Sequence, residues 1–295
     1  MTRRVPRPRR RTLVALAFCA PWLIGLTVFL LVPIALSLYY SFCDYNLLQD
    51  PVWVGGRNYA DLAADGVFWQ SIGNTLYYAL LAVPAGLAVS LGLAVLLNVP
   101  APGQAVYRAV IFLPSLVPLV ASAMVWLWLF NAEAGLINAG LRRLGIAGPA
   151  WLTDARWAMP ALALMSLWAV GHAVVIHLAG LQHVPRHLYE AAALDGAGPL
   201  RRLWHVTLPV LSPVVFFNLV MAVIGTLQVF AVPFVMTRGD PDRATYFYTM
   251  YLYDNAFTFL RMGYASAMAW VQLLLILGLS GLAFWSARLW VHYGE

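Results

Sequence analysis

Six stretches of this chain contain no Asp, Glu or Arg: residues 12–42, 71–97, 109–131, 157–182, 210–236 and 262–287. A bilayer core of about 30 Å takes roughly 20 apolar residues of helix, and each stretch is long enough. The fourth is the least apolar, because His172 and His177 lie inside it. Charged residues make up 10% of the chain and hydrophobic ones 62%, with a mean hydropathy of +0.76. A soluble domain carries about 25% charged residues, so too little polar surface exists here to coat a water-soluble enzyme. Gly and Pro are scattered without period, which excludes collagen-like order, and the apolar excess excludes disorder. The expected fold is all-α: a polytopic membrane protein of six transmembrane helices.

The N-terminus, MTRRVPRPRRR, reads like the basic leader of a signal peptide, but the apolar run behind it is too long and lacks a small-residue cleavage site. Cys19 follows Phe18 rather than the small residue of a lipoprotein signal, so the first stretch is expected to remain as an anchor. Cys19 and Cys43 would stand about 36 Å apart on one helix, which rules out a disulfide. With both termini in the cytoplasm, 11 of the 18 basic residues, all of them Arg, face inward and 9 of the 12 acidic residues face outward. That asymmetry obeys the positive-inside rule and assigns the net +6 to topology and lipid headgroups rather than nucleic acid. The aromatic segment 245–260 contains Asp254 and Asn255, and is expected as an interfacial or re-entrant helix rather than a seventh span.

Catalytic and nucleotide signatures are missing. A phosphate-cradling loop needs a lysine, and the chain has none. No H-E-x-x-H, C-x-x-C or G-x-S-x-G occurs, and His183 and His187, separated by Pro185, are read as loop histidines. Asp61 and Asp65 are read as a solvated outer face. Ion-coupled carriers keep paired or relaying charges at the midplane, and these spans hold none beyond the two histidines.

The longest cytoplasmic loop, residues 183–209, reads HVPRHLYEAAALDGAGPLRRLWHVTLP. Pro185 suits a helix start, Leu188, Ala191 and Ala192 share one face, and Gly196 and Gly198 interrupt it. Pro199 can open a second short helix, and Pro209 precedes the next span. Two surface helices joined by a glycine bend would present a small alanine face to another protein. This segment resembles the EAA loop of bacterial ABC importer permeases, with Glu190, Ala191, Ala192, Gly196, Val206, Leu208 and Pro209 in register. With Asp195 and Ala197 added it is similar to the carbohydrate branch, specifically the first permease of maltose-type and glycerol-phosphate-type importers. The resemblance covers nearly the whole chain: Gly56, Asn58 and Tyr59; Asn74 and Thr75; Phe112, Leu113 and Pro114; and residues 262–267. One departure is Thr237-Arg238-Gly239-Asp240-Pro241, where the family has Thr-x-Gly-Gly-Pro.

The resemblance implies a permease domain over residues 12–295, with its core at 71–287, behind a basic tail at 1–11. It implies residence in the bacterial cytoplasmic membrane beside a second homologous permease, two ATPase subunits and an extracytoplasmic solute-binding protein. It implies no cofactor in this chain, with ATP and Mg held by the ATPase subunits. Glu190, Ala191, Ala192, Asp195, Gly196, Leu208 and Pro209 would couple ATP hydrolysis to transport. Spans four and five would line the solute cavity. Ser166, Trp168 and His172 would stand on one side and Asn218, Gly225, Thr226 and Gln228 on the other, offering hydroxyl, amide and stacking contacts to a sugar. The polar positions of maltose-type relatives fall partly on Met165, Ala222 and Val229, so this cavity should be more apolar. Val125-Trp126-Leu127-Trp128 and Tyr39-Tyr40 are expected as interfacial belt aromatics. Two alternatives differ in their needs: a glycerol-3-phosphate or polyol permease calls for cations facing the cavity, and an ion-coupled secondary transporter calls for midplane charges.

Overall fold

The computed structural model describes residues 8–292. Of the expected basic tail, residues 1–7 lie outside the described residues, as does Glu295, while Pro8–Leu26 is helical. Four helices are long and apolar enough to cross a membrane: Val14–Ser41, Gly66–Asn98, Pro199–Leu227 and Met262–Trp290. Two further pairs qualify together: Gln104–Leu116 with Leu119–Leu129, bent by 98°, and Ala155–Ala169 with Gly171–Gln182, bent by 51°. With each pair counted as one span, the described residues hold six.

Three of the six expected stretches are therefore not straight rods. In the third, Pro118 lacks an N–H and pushes Val117 into an extended conformation (ψ 131), ending the helix. In the fourth, a 3₁₀ turn at Leu167–Ala169 separates two helices. In the fifth, the helix stops at Leu227 and resumes at Ala231–Met236, where Pro233 has no N–H to offer the Val229 carbonyl inside the break. The fifth span also starts earlier than expected, at Pro199. Its wide turn Leu203–Thr207, closed by Leu208 N–H to the Leu203 carbonyl, carries the helix through Pro209. The second surface helix of the loop is thus the first turn of a span.

Two compact units make up the chain. The first comprises residues to Ala64 with Tyr253–Val271. Its spanning helix Val14–Ser41 buries none of its apolar window against the protein. A two-stranded antiparallel ribbon pairs Cys43–Asp44 with Val52–Trp53, and helix Arg57–Ala64 follows. Asn58 Nδ2 donates to the carbonyls of Ser41 and Cys43, both at 2.9 Å, and the Tyr59 hydroxyl donates to Ser41 Oγ at 2.8 Å. A Cβ on Gly263 would lie 2.0 Å from the Cys43 carbonyl, so only glycine fits there. These contacts give Asn58, Tyr59 and Gly263 structural roles.

The second unit comprises Asp65–Leu252 and the chain from Gln272. Asp65 caps the Gly66–Asn98 helix through Val67 N–H at 2.8 Å, and its carboxylate accepts from the Tyr251 hydroxyl. It is a cap, correcting the solvated-face reading; Asp61 is exposed beside Arg57. The 33-residue helix Gly66–Asn98, about 50 Å long, packs along Gly171–Gln182 and Leu208–Leu227. Ala94, Leu97, Val174, Leu178, Leu181 and Leu211 form one buried cluster there. Gly180 permits the close crossing, since its Cβ would sit 2.6 Å from Leu211. Toward the other end, Tyr78, Phe130, Leu162, Met165, Met236 and Phe247 belong to a second cluster. Asn74 Nδ2 donates to the Arg243 and Tyr246 carbonyls, and Thr75 Oγ1 accepts from Tyr248 N–H. Large apolar side chains such as Leu80 (71% exposed) and Trp285 (65%) face outward, as lipid contact requires. Helix Tyr248–Tyr253, continued by Asp254–Thr258, is too short to span.

Candidate functional site

The loop between spans four and five folds as helix Arg186–Leu194 followed by a tight reversal. Gly196 has φ +73, its N–H donates to the Ala193 carbonyl at 3.1 Å, and Ala197 N–H donates to the Ala192 carbonyl at 2.9 Å. This paired closure of a helix C-terminus needs one residue in the left-handed region, and Gly196 supplies it. No atom lies within 4 Å of where its Cβ would be, so the demand is on the backbone, not on space. Glu190, Ala191, Asp195 and Gly196 are exposed and Ala192 is half-buried. Leu194, 90% exposed, stands one turn from Ala191.

Two contacts fasten this helix to the fifth span. The Tyr189 hydroxyl and buried Thr207 Oγ1 lie 3.0 Å apart, and Arg202 Nε donates to the Ala197 carbonyl at 2.7 Å. Leu208 and Pro209 are half-buried within the continuous helix. Pro199–Leu227 is 29 residues long, about 44 Å, and runs from this reversal to the break at Gln228.

The three broken spans meet at one cavity of about 300 Å³. Pro114, Ser115 and Val117 come from the third break, Trp168 and Ala169 from the fourth, and Val229 and Val232 from the fifth. Ser115 Oγ donates to the Ala169 carbonyl at 3.3 Å, and Phe112 meets His172 edge-on at 5.2 Å. A Cβ on Gly171 would lie 2.3 Å from Ser115 Oγ, so the third and fourth breaks are in close contact. Within a bilayer, non-helical backbone is tolerated where it lines a cavity, and transporters build solute sites from such broken helices. The volume falls at the lower end of small-molecule sites, about 300–1,000 Å³.

Of the residues expected on this wall, Ser166, Trp168 and His172 line the cavity together with Met165 and Val229. Asn218, Gly225, Thr226 and Gln228 do not. Asn218 is buried and donates to the Val214 carbonyl, while Thr226 donates to the Ala222 and Val223 carbonyls of its own helix. Tyr78, Ser115, Ser122 and Leu162 line it without having been anticipated. The Pro114 and Pro118 pair was the available signal for the third-span residues; nothing in the sequence marks Tyr78. Trp126 corrects the belt reading. It packs on Trp168 and Phe130 at ring distances of 6.1 and 5.0 Å, while Trp128 is exposed. Among the described residues no cluster of His, Cys, Asp and Glu could hold a metal ion.

Comparison with known proteins adds four findings. Residues 82–291 match the family model of binding-protein-dependent transport system inner membrane components. The chain is 38% identical to the probable ABC transporter permease YesP of Bacillus subtilis, over 97% of this chain and 94% of that one. It is 37% identical to the sulfoquinovosyl glycerol transport system permease SmoG of Agrobacterium fabrum, over 88% and 85%. The fold matches a chain of a bacterial alginate ABC transporter, solved with an alginate pentasaccharide-bound periplasmic protein. The TM-score is 0.85 at 22% identity, over 99% of this chain and 100% of that one.

Proposed function

This chain belongs to the family of binding-protein-dependent transport system inner membrane components, and we propose that it imports a carbohydrate. Its partners in this reading are a second permease, two ATPase subunits that bind ATP and Mg, and an extracytoplasmic solute-binding protein. Both termini and the Arg186–Leu194 helix face the cytoplasm. The carbohydrate assignment draws on the relative named for sulfoquinovosyl glycerol transport and on the hydroxyl-lined, aromatic cavity of this chain.

The observation that carries the mechanism is the fastening of an exposed helix to a long strut that ends at the cavity. Glu190, Ala191 and Asp195 meet an ATPase subunit, whose closure on ATP displaces the helix. Tyr189–Thr207 and Arg202–Ala197 transmit that displacement to Pro199–Leu227. The far end of the strut adjoins Val229 and Val232 in the cavity wall, so a shift there reshapes the solute site. Energy enters by biasing a two-state bundle, and this helix is the point of entry. Ser166, Trp168 and His172 contact the solute, with Trp168 offering a stacking face.

Reconstitution of the isolated chain and of the full complex tests this reading. The isolated chain is expected to hydrolyse no ATP and to accumulate no solute on a proton or sodium gradient; the complex with binding protein and ATP does accumulate it. Gradient-driven accumulation by the isolated chain overturns the proposal in favour of a secondary carrier.

A further inference from the structure

A second cavity, about 470 Å³, lies at the ends of spans three and five opposite the Arg186–Leu194 loop in chain order, lined among others by Phe130, Asn131, Glu133, Trp151, Thr153 and Asp240. A row of rings joins it to the cavity described above. Trp151 lies 5.5 Å from Phe130, Phe130 5.0 Å from Trp126, and Trp126 6.1 Å from Trp168. Phe130 is 1% exposed and stands between the two cavities in that row.

The platform at the outer end is fixed in place. Trp151 Nε1 donates to Asn138 Oδ1 at 2.7 Å, and Asn138 Nδ2 donates to the carbonyls of Ala132 and Pro149 at 2.9 and 3.0 Å. Buried Asn138 thus orients an indole whose neighbours are Phe130 and Trp157. Around this ring stand polar groups with unused capacity. No described residue forms an ion pair with Glu133 or Asp240, whereas nearby Asp154 is taken up by Arg156 at 2.9 Å. Arg142 donates to the Glu133 carbonyl at 3.0 Å, which offsets part of the local charge. No cation lines the cavity itself. An oriented indole beside carboxylate, amide and hydroxyl groups suits a pyranose, whose hydroxyls donate to carboxylates and whose C–H face stacks on the ring. The two carboxylates repel an anionic sugar.

We propose that this cavity is a second, outward-facing saccharide subsite that admits an uncharged pyranose unit, and that the ring row from Trp151 to Trp168 connects it to the inner cavity. The proposal rests on the carbohydrate reading and orientation given above and adds the charge class of the substrate.

The test uses the full complex in proteoliposomes with its binding protein, assayed for uptake of lactose, maltose and trehalose and of their uronic-acid counterparts. The wild type is expected to take up a neutral disaccharide in preference to its uronate. Trp151→Ala should cut neutral uptake roughly tenfold through lost stacking. Because Trp151→Ala removes packing, the near-isosteric pair Glu133→Gln with Asp240→Asn serves as the second variant. It should raise the uronate-to-neutral uptake ratio roughly three- to tenfold by removing two charges near the ligand. No saccharide uptake by the wild type sinks the carbohydrate reading and this proposal together. Saccharide uptake with an unchanged ratio in the double variant overturns the subsite alone. So does loss of binding-protein co-sedimentation in that variant, which would assign the cavity to protein docking.

Discussion

Gly196 isolates a backbone requirement at the loop that couples the two halves of the proposed machine. Its φ of +73 lies in the left-handed region, and its Cβ position is open for 4 Å, so a substitution there meets strain without collision. Placing a residue with a β-carbon in that conformation costs about 1–2 kcal/mol, and asparagine bears the cost more easily than other residues. A shift of that size changes the ratio of closed to opened helix end by roughly 5- to 30-fold. The hydrogen bonds at stake are Gly196 to Ala193 and Ala197 to Ala192, and Arg202 is fastened to the same Ala197. Transport per complex is therefore expected to fall in the order Gly, Asn, Ala, Val, with Gly196→Val close to inactive while still reaching the membrane. Uptake into proteoliposomes and pull-down of the ATPase measure the series. Asparagine is larger than alanine, so the order separates backbone strain from bulk. If Gly196→Ala outperforms Gly196→Asn, or if Gly196→Val transports normally, the assignment of the reversal as the coupling element is wrong.

Glu190→Lys changes an exposed charge outside the spans, so it should insert normally yet lose ATPase pull-down and solute-stimulated hydrolysis. Tyr189→Phe deletes one side of the 3.0 Å contact with Thr207 at a cost of about 1 kcal/mol. Hydrolysis should persist while uptake per ATP falls, and an unchanged ratio would remove that contact from the transmission path. Reporter fusions after residues 60, 145 and 250 should report the outside, and those after 102, 195 and 293 the cytoplasm; an inside signal at 145 contradicts the six-span arrangement.

The sequence made the membrane fold and the loop readable because both depend on local rules. Charge-free length marks each span, and the Ala192–Ala193–Gly196 closure needs only one helix end and one glycine. The internal breaks were harder. Pro118 could have flagged the third, since proline removes the donor and restricts its predecessor. The fifth break, at Gln228, is marked only indirectly, by Pro233 five residues on, which has no N–H to offer the Val229 carbonyl. Pro209 misled in the other direction: a wide turn absorbs its missing donor, so helix passes through what read as a boundary. The cavity wall depended on long-range packing. Ser166, Trp168 and His172 follow from span four's face, but Tyr78 and Ser122 reach the cavity only through the crossing of other helices. Asn218 and Thr226 bond their own helix instead, an option open to any such side chain in a span.

The uninterrupted run from Pro199 to Leu227 also constrains how this gene can change in length. Each residue added to an α-helix rotates everything beyond it by about 100° and advances it by about 1.5 Å. A single codon inserted there would turn Thr207 away from Tyr189 or turn the Leu227 end away from the cavity wall. Substitutions along this strut leave that angular relation intact, whereas insertions and deletions destroy it.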